Sequence, residues 1–272
     1  MRSTIKYRLA ILLWAAAWLP MAASAQAPSL ANILPNFIGI GVGVTPQYIG
    51  SDHYVGGVAP AGFYKFDSER FISYTGVVGE ANLLDSPNWR FGPAFGYRLG
   101  RNDVDDDVVD RLEKIDDTVE GGLTFSYAYL NEGQTPWNLR VGISGVTGLA
   151  GGDSYSGIHT TGFASLWVPL SERLIIGTGL GVTYDSSDFM QTYFGVSARG
   201  SAASGLPMFD PDSGFSSAYI WPAVIYKINE HWFGGAGMFY KRLLNDAADS
   251  PIVKRGSQNQ LTGGLGVAYY WE

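Results

Sequence analysis

Trp89-Arg90-Phe91-Gly92-Pro93-Ala94-Phe95-Gly96-Tyr97-Arg98-Leu99-Gly100 alternates without a break between two kinds of side chain. Trp89, Phe91, Pro93, Phe95, Tyr97 and Leu99 fall on one face of an extended chain, and Arg90, Gly92, Ala94, Gly96, Arg98 and Gly100 on the other. Alternation with period 2 marks a β-strand. The assignment of faces decides the fold: every bulky apolar group lies on one side, and the other is too small and polar to centre a water-soluble core. A barrel strand with lipid outside and water or packed polar groups inside has this composition.

The pattern recurs along the chain. Phe37 to Tyr48 sets Ile38, Ile40, Val42 and Val44 against Gly39, Gly41 and Gly43, before a turn at Gly50-Ser51-Asp52. Val55 to Phe66 and Phe71 to Asn82 read as a pair joined by the tight Asp67-Ser68-Glu69-Arg70. Val119, Gly121, Leu123, Phe125, Tyr127 and Tyr129 alternate with Glu120, Gly122, Thr124, Ser126 and Ala128; Trp137, Leu139, Val141 and Ile143 do so with Asn138, Arg140, Gly142 and Ser144. Further strands are predicted at Ile158 to Leu170, Leu174 to Tyr184, Ser216 to Ile228, Trp232 to Leu243 and Leu261 to Trp271, with Met190 to Ala198 as a weaker candidate. Closed single-chain bacterial barrels have even strand numbers, so the fold expected is an all-β transmembrane antiparallel barrel of twelve strands, with ten as the alternative.

Connections alternate in length, as short periplasmic turns and long extracellular loops require. Asn131 to Pro136, Ser171 to Arg173 and Asn229 to His231 are short; Arg101 to Asp117, Leu149 to Gly157, Asp185 to Phe215 and Leu244 to Asn259 are long. Counted back from a periplasmic C-terminus, these lengths imply that one strand between residues 37 and 100 is miscounted. A soluble periplasmic β-sandwich is the rival with the same period. Against it stand Trp89, Tyr97, Tyr129, Trp137, Trp167, Tyr226, Trp232, Tyr269 and Trp271 near strand ends, where interfacial aromatic girdles belong.

Arg2, Lys6 and Arg8 precede the apolar run Leu9 to Leu19 and then Ala23-Ser24-Ala25. This is the layout of a cleaved secretory signal over 1–25, followed by a short periplasmic segment, 26–36, and a barrel over 37–272. The run is about half the ~20 residues that a spanning helix needs. Cleavage removes three cations and no acid, so the formal charge falls from −7 to −10; nucleic acid is not an expected partner. No cysteine is present, which excludes disulfides, metal–thiolate sites and a cysteine nucleophile. Glycine stands at 36 of 272, well above the usual ~7%, and lumen-facing strand glycines account for the excess.

Tyr193-Phe194-Gly195-Val196, Ser204-Gly205-Leu206-Pro207, and Tyr240-Lys241-Arg242-Leu243-Leu244 running into Ala247-Ala248-Asp249-Ser250-Pro251-Ile252-Val253 resemble the MipA/OmpV family of outer-membrane proteins. Val42-Gly43-Val44 with Pro46, Tyr48 and Gly50-Ser51 fits the same family's opening, so the resemblance covers essentially the whole mature chain. It implies a location in the Gram-negative outer membrane, among lipid and lipopolysaccharide, after delivery by the outer-membrane assembly machinery. For one branch it implies a scaffold joining a lytic transglycosylase to a bifunctional murein synthase. It carries no catalytic motif and no cofactor. Gly266, Tyr269 and Trp271 form a C-terminal glycine-then-aromatic insertion signal, with Glu272 as a departure at the last position.

The chemistry-bearing residues are sparse. His53, His159 and His231 are scattered; a lipid-cleaving site at His159 would have to draw on Ser154, Ser156 and Asp153 in the preceding loop, and a polar loop edge explains them better. Asp103, Asp105, Asp106 and Asp107 cluster, but Val108 stands where an EF-hand needs its glycine, so a solvated acidic loop is expected, as at Asp210-Pro211-Asp212-Ser213-Gly214. Arg90, Arg98, Glu120 and Arg140 share the small-residue face and are expected to pair inside the lumen. Within Arg101 to Asp117, eight acidic residues accompany three basic ones. Val104, Val108, Leu112 and Ile115 are spaced as one helical stripe, with Asn102 or Asp103 as N-cap, predicting a short amphipathic lid helix over the barrel mouth. Three functions follow in order: a non-enzymatic scaffold, a narrow diffusion pore, and a lipid-modifying enzyme.

Overall fold

The computed structural model describes residues 35–133, 136–151 and 155–271. Twelve strands run in chain order: β1 Asn36–Pro46, β2 Tyr54–Lys65, β3 Phe71–Thr75, β4 Val78–Asn82, β5 Trp89–Arg98, β6 Thr118–Asn131, β7 Trp137–Ala150, β8 His159–Pro169, β9 Leu174–Asp185, β10 Gly214–Lys227, β11 Trp232–Leu243 and β12 Asn259–Trp271. Each pairs antiparallel with the next, and β12 closes on β1 with Asn36 opposite Trp271 and Val44 opposite Gly263. The signal segment 1–25 and most of 26–36 lie outside the described residues; the barrel begins at Asn36, one residue before the predicted boundary.

The total of twelve is reached by a different set of strands from the predicted one. Phe71 to Asn82 is a hairpin rather than one strand, because Gly76 takes φ +65 and reverses the chain between β3 and β4. That supplies the missing strand before residue 100. Met190 to Ala198 is not a barrel strand: Met190 to Phe194 lie in α1 Ser187–Phe194, Ala198 opens α2 Ala198–Ser204, and between them Val196 makes a single bridge to Phe209. Phe189, Met190, Tyr193 and Phe194 are all buried, a spacing that a 3.6-residue period gathers on one face and a strand divides between two. Ser197 caps α2 by accepting from the Gly200 N–H at 2.9 Å, and left-handed Gly205 ends it.

One barrel end carries residues 66–70, 83–88, 132–133 and 136, 170–173 and 228–231; the other carries 47–53, the two-residue β3–β4 turn, 99–117, 151 and 155–158, 186–213 and 244–258. Outward positions form an apolar belt, with Ile38, Ile40, Val42 and Val44 of β1 and Leu265 and Val267 of β12 more than two-fifths exposed. Tyr64, Trp89, Tyr129, Tyr226, Trp232 and Tyr269 ring the short-turn end, and Tyr54, Tyr184, Phe215 and Tyr240 the long-loop end. Trp167 is a correction: it points inward, 2% exposed, and packs on Trp221 with centroids 5.6 Å apart.

The inner face is not uniformly small. β8, β10 and β11 send Phe163, Trp167, Tyr219, Trp221, Phe233 and Phe239 inward to meet Phe37, Phe63 and Phe71 in one cluster. Room for them comes from β9, whose inward Gly177, Gly179 and Gly181 lie opposite Trp167, Trp221 and Tyr219. A Cβ at those glycines would come within 2.6, 2.5 and 2.5 Å of the respective rings. Three aromatic faces therefore rest directly on bare backbone.

Candidate functional site

The lumen and its two ends are the places where a barrel can act on something. The four charges expected there all lie on inward positions and are buried: Arg90, Arg98, Glu120 and Arg140. Arg140 of β7 reaches Glu80 of β4 in a fork, Nη1 to Oε1 at 2.6 Å and Nη2 to Oε2 at 2.8 Å, and its Nε donates to Ser126 Oγ at 2.8 Å. Arg98 donates through Nε to Glu120 Oε1 at 2.7 Å, and Tyr155 donates to the same oxygen. Arg90 lies at the short-turn end, where Nη1 donates to Ser86 O and Nη2 to Pro87 O at 3.1 Å, with Glu69 Oε2 at 3.5 Å.

Three partnerships are not legible in the sequence: Glu80 with Arg140, Glu69 with Arg90, and His159 with Asp185, whose Nδ1 and Oδ1 are in hydrogen-bond contact. Glu80 was hidden by the reading of 71–82 as a single strand. The alternation of β11 places Lys241 inward beside Phe239 and Leu243, and it is buried. His159 sits beneath the Phe189 ring, centroids 4.9 Å apart. Ser156 is exposed while that imidazole is enclosed, and Asp153 and Ser154 lie outside the described residues. Enclosure and an acid partner describe a structural histidine better than a base awaiting a substrate.

The long-loop end is covered in two layers. Phe189, Met190, Tyr193 and Phe194 of α1 pack with Tyr155, Leu243 and Ile115, joined by Ala247 of α3 Asn245–Asp249 and Val253 of α4 Pro251–Arg255. The Arg98 guanidinium lies 4.8 Å from the Phe189 ring centroid and 5.5 Å from that of Tyr193, so the inner layer rests on the buried charge. The outer layer joins Tyr48, Val109, Leu112, Val196 and Ile252, with Val104 packed against it. Burial pushes the Tyr193 hydroxyl up to about 12 and lowers Arg101 to about 10; Arg101 Nη1 donates to Tyr193 O at 3.1 Å.

The predicted helix over Val104, Val108, Leu112 and Ile115 does not form. Only Val109–Arg111 makes a single 3-10 turn. Arg101 and Ile115 instead form an antiparallel bridge, with N···O distances of 2.8 and 3.2 Å. At about 1.5 Å per residue a helix would hold these ends roughly 20 Å apart, so bridge and helix exclude each other. Asp103 turns the chain at φ +58. The stripe serves a strap all the same: Leu112 and Ile115 are buried, Val109 is buried in place of Val108, and Val104 is half-buried.

The acidic cluster is divided among separate partners. Asp106 accepts from Arg255 Nε at 2.9 Å and from the Val108 and Val109 N–H groups at 2.9 and 3.1 Å, while Asp105 accepts from Gln47 at 2.7 Å. Burial works to raise the Asp106 pKa, but the Arg255 and backbone donors outweigh it and hold the carboxyl below its usual range. A depressed carboxyl contributes stability above its unfolded value, roughly 3.9, and that contribution is lost as pH falls through the folded value. Asp106→Asn should therefore weaken local closure of 101–115 at neutral pH by about 0.5–2 kcal/mol, the range of a lost cap. It should also reduce the acid sensitivity of amide exchange at Leu112, to which Asp110 and Glu113 of the same strap, likewise held below their usual range, still contribute; an unchanged acid profile would refute this role for Asp106.

At the other end Asp67, Arg70, Asp85, Glu172, Arg173 and Glu230 are exposed on the turns. Gly266, Tyr269 and Trp271 lie on β12 against β1, with Gly266 opposite Gly41 and Tyr269 opposite Ile38. Tyr269 is outward and exposed, 5.4 Å from Trp232 between ring centroids.

A closed twelve-strand barrel with a lipid-facing belt, two aromatic rings and a filled interior defines an outer-membrane β-barrel protein. Within that class, the family model described as MltA-interacting protein MipA matches residues 38–271, and the chain belongs to this family. MltA-interacting protein of Escherichia coli (strain K12) is 29% identical over 92 residues, which is 34% of this chain and 37% of that protein. Outer membrane protein OmpV of Vibrio cholerae serotype O1 is 35% identical over 92 residues, 34% of each. The matched stretch thus spans just over a third of these relatives' length. Among solved structures, the CymD monoaromatic hydrocarbon channel is aligned over 88% of this chain and 89% of its own at 11% identity, TM-score 0.40. A loop-deletion OmpT of Vibrio cholerae covers 78% and 62% at 10% identity, TM-score 0.38.

Proposed function

We propose that this protein is a non-enzymatic outer-membrane scaffold whose short-turn end, facing the periplasm, holds a murein-cleaving lytic transglycosylase and a bifunctional murein synthase. The observation that carries the reading is the occupied lumen. Buried ion pairs and an aromatic cluster fill the interior and a two-layer cap covers one end, while the exposed charged turns are at the other. A barrel built this way offers a partner its rim rather than a path through its centre. Family membership and a relative named for interaction with MltA support the same choice of partner. In this orientation the long loops and the cap face the extracellular side.

The test is affinity capture of the tagged barrel from detergent-solubilised envelopes, paired with planar-bilayer recording. The expected result is enrichment of a lytic transglycosylase, reduced at least tenfold by combined charge reversal at Asp67, Arg70, Glu172 and Arg173, with little or no wild-type conductance. Steady ion-selective conductance that Arg90, Arg98 and Arg140 to alanine abolishes or inverts, without enrichment of any murein enzyme, would favour a diffusion pore and reject the scaffold.

A further inference from the structure

The packed lumen is interrupted by a cavity of about 210 Å³ against the inner wall formed by β10, β11, β12 and β1. Phe37, Trp167 and Phe233 border it toward the short-turn end, and Phe239 and Thr262 toward the long-loop end; no charged side chain lines it. An apolar void of about 150 Å³ in another protein stays dry and accepts benzene. This one is larger.

Two features separate the cavity from a packing defect. The first is the glycines of β11. At Gly177, Gly179 and Gly181 a Cβ would strike an aromatic ring, so those residues are glycine for close packing. At Gly235 and Gly237, which line the cavity, the nearest atoms to a Cβ are Val224 O at 3.5 Å and Pro222 O at 3.4 Å, ordinary contact distances. A strand glycine weakens its strand, and one that neighbours do not require marks close approach by something else. The second feature is Trp167. Its indole is 2% exposed, borders the cavity, and its Nε1 has no hydrogen-bond partner among the described residues, whereas buried indole donors usually find one.

We infer that the cavity is a binding site for one small, uncharged, largely apolar molecule of single-ring size that carries a hydrogen-bond acceptor for Trp167 Nε1. Charge is excluded by the lining and size by the volume, and the acceptor answers the buried, unpartnered Trp167 Nε1. The site is independent of murein enzymes and would operate in the scaffold as in any other use of the barrel.

The probe is 4-iodoacetophenone, which combines a ring, one carbonyl acceptor and an anomalous scatterer. Crystals of the wild-type barrel soaked in it should show iodine inside the barrel beside Gly235 and Gly237. In amphipol, with an unrelated barrel in the same polymer as the control for partitioning, the probe should raise the wild-type Tm in a saturable manner. Trp167→Phe, which keeps the ring and removes the donor, should weaken the midpoint of that response three- to tenfold. Gly237→Leu, which fills the space from a backbone site with room for it, should abolish the response while the protein keeps its unheated gel mobility. Iodine confined to the lipid-facing surface of wild-type crystals would overturn the inference. So would a Gly237→Leu response equal to wild type; an undiminished Trp167→Phe response would overturn the acceptor requirement.

Discussion

Glu80→Ala should lower the unfolding free energy of the detergent-solubilised barrel by about 3–5 kcal/mol, the cost of stranding one member of a buried ion pair. Arg140 is 0% exposed and its guanidinium is held by Glu80 through two hydrogen bonds and by Ser126 through a third. Without Glu80, that charge keeps one neutral acceptor and the Phe163 ring at 5.2 Å, which do not replace a carboxylate. The pair also spans the barrel from β4 to β7, so its loss removes a cross-lumen tie and not a contact between adjacent strands. Removing both charges in Glu80→Gln/Arg140→Met should recover most of the loss, because replacing a buried pair by well-packed neutral groups is often neutral. Urea unfolding in a reversible detergent system, read as a double-mutant cycle, separates the outcomes. A single substitution within 0.5 kcal/mol of wild type, or a double as unstable as the single, would show that the pair is solvated.

The sequence shows most of the outer surface and much less of the interior. Lipid demands apolar side chains at every outward position of a spanning strand, so β1, β5, β6 and β7 announce themselves by alternation. Inside, the constraint is complementarity between strands far apart in the chain, and no local period records it. Gly177, Gly179 and Gly181 look like any small lumen face until Trp167, Trp221 and Tyr219 are known to lie on them. The same blindness put Trp167 in a surface girdle. Arg90, Arg98, Glu120 and Arg140 could be assigned a face, but partnership across the lumen could not be read from spacing, and Glu80 went unnoticed. The β3–β4 turn fails for another reason: Gly76 is one glycine among many, and only its positive φ distinguishes it. In the strap, the helical spacing of Val104, Val108, Leu112 and Ile115 is real, yet the Arg101–Ile115 bridge decides the backbone. So short a segment has no helix stability of its own to insist on, and a loop can satisfy an apolar stripe in several ways when a barrel mouth is there to cover.

Gly179→Val should be strongly destabilising, by about 1–3 kcal/mol or more as overpacking in a filled interior, although valine is the better strand former. A Cβ at Gly179 would lie 2.5 Å from the indole of Trp221, and that ring cannot retreat: it is 6% exposed and already tilted against Trp167. Relief would require displacing Trp221 and with it the cluster that Phe233, Ile225 and Phe37 share. The comparison that isolates this cause is Gly237→Val in β11, where the new Cβ meets nothing closer than 3.4 Å. There the gain in strand propensity, up to about 1 kcal/mol, is not opposed by a clash, and the variant should be as stable as wild type or more so. Trp221→Ala added to Gly179→Val should restore part of the loss, since the obstacle is then gone, while Trp221→Ala alone is costly through the cavity it opens. The midpoint of heat-induced change in gel mobility, followed for wild type and all four variants, decides the matter. If valine at 179 and at 237 have the same effect, the glycines of β9 are not there to seat aromatic rings, and the account of how this lumen is filled fails with them.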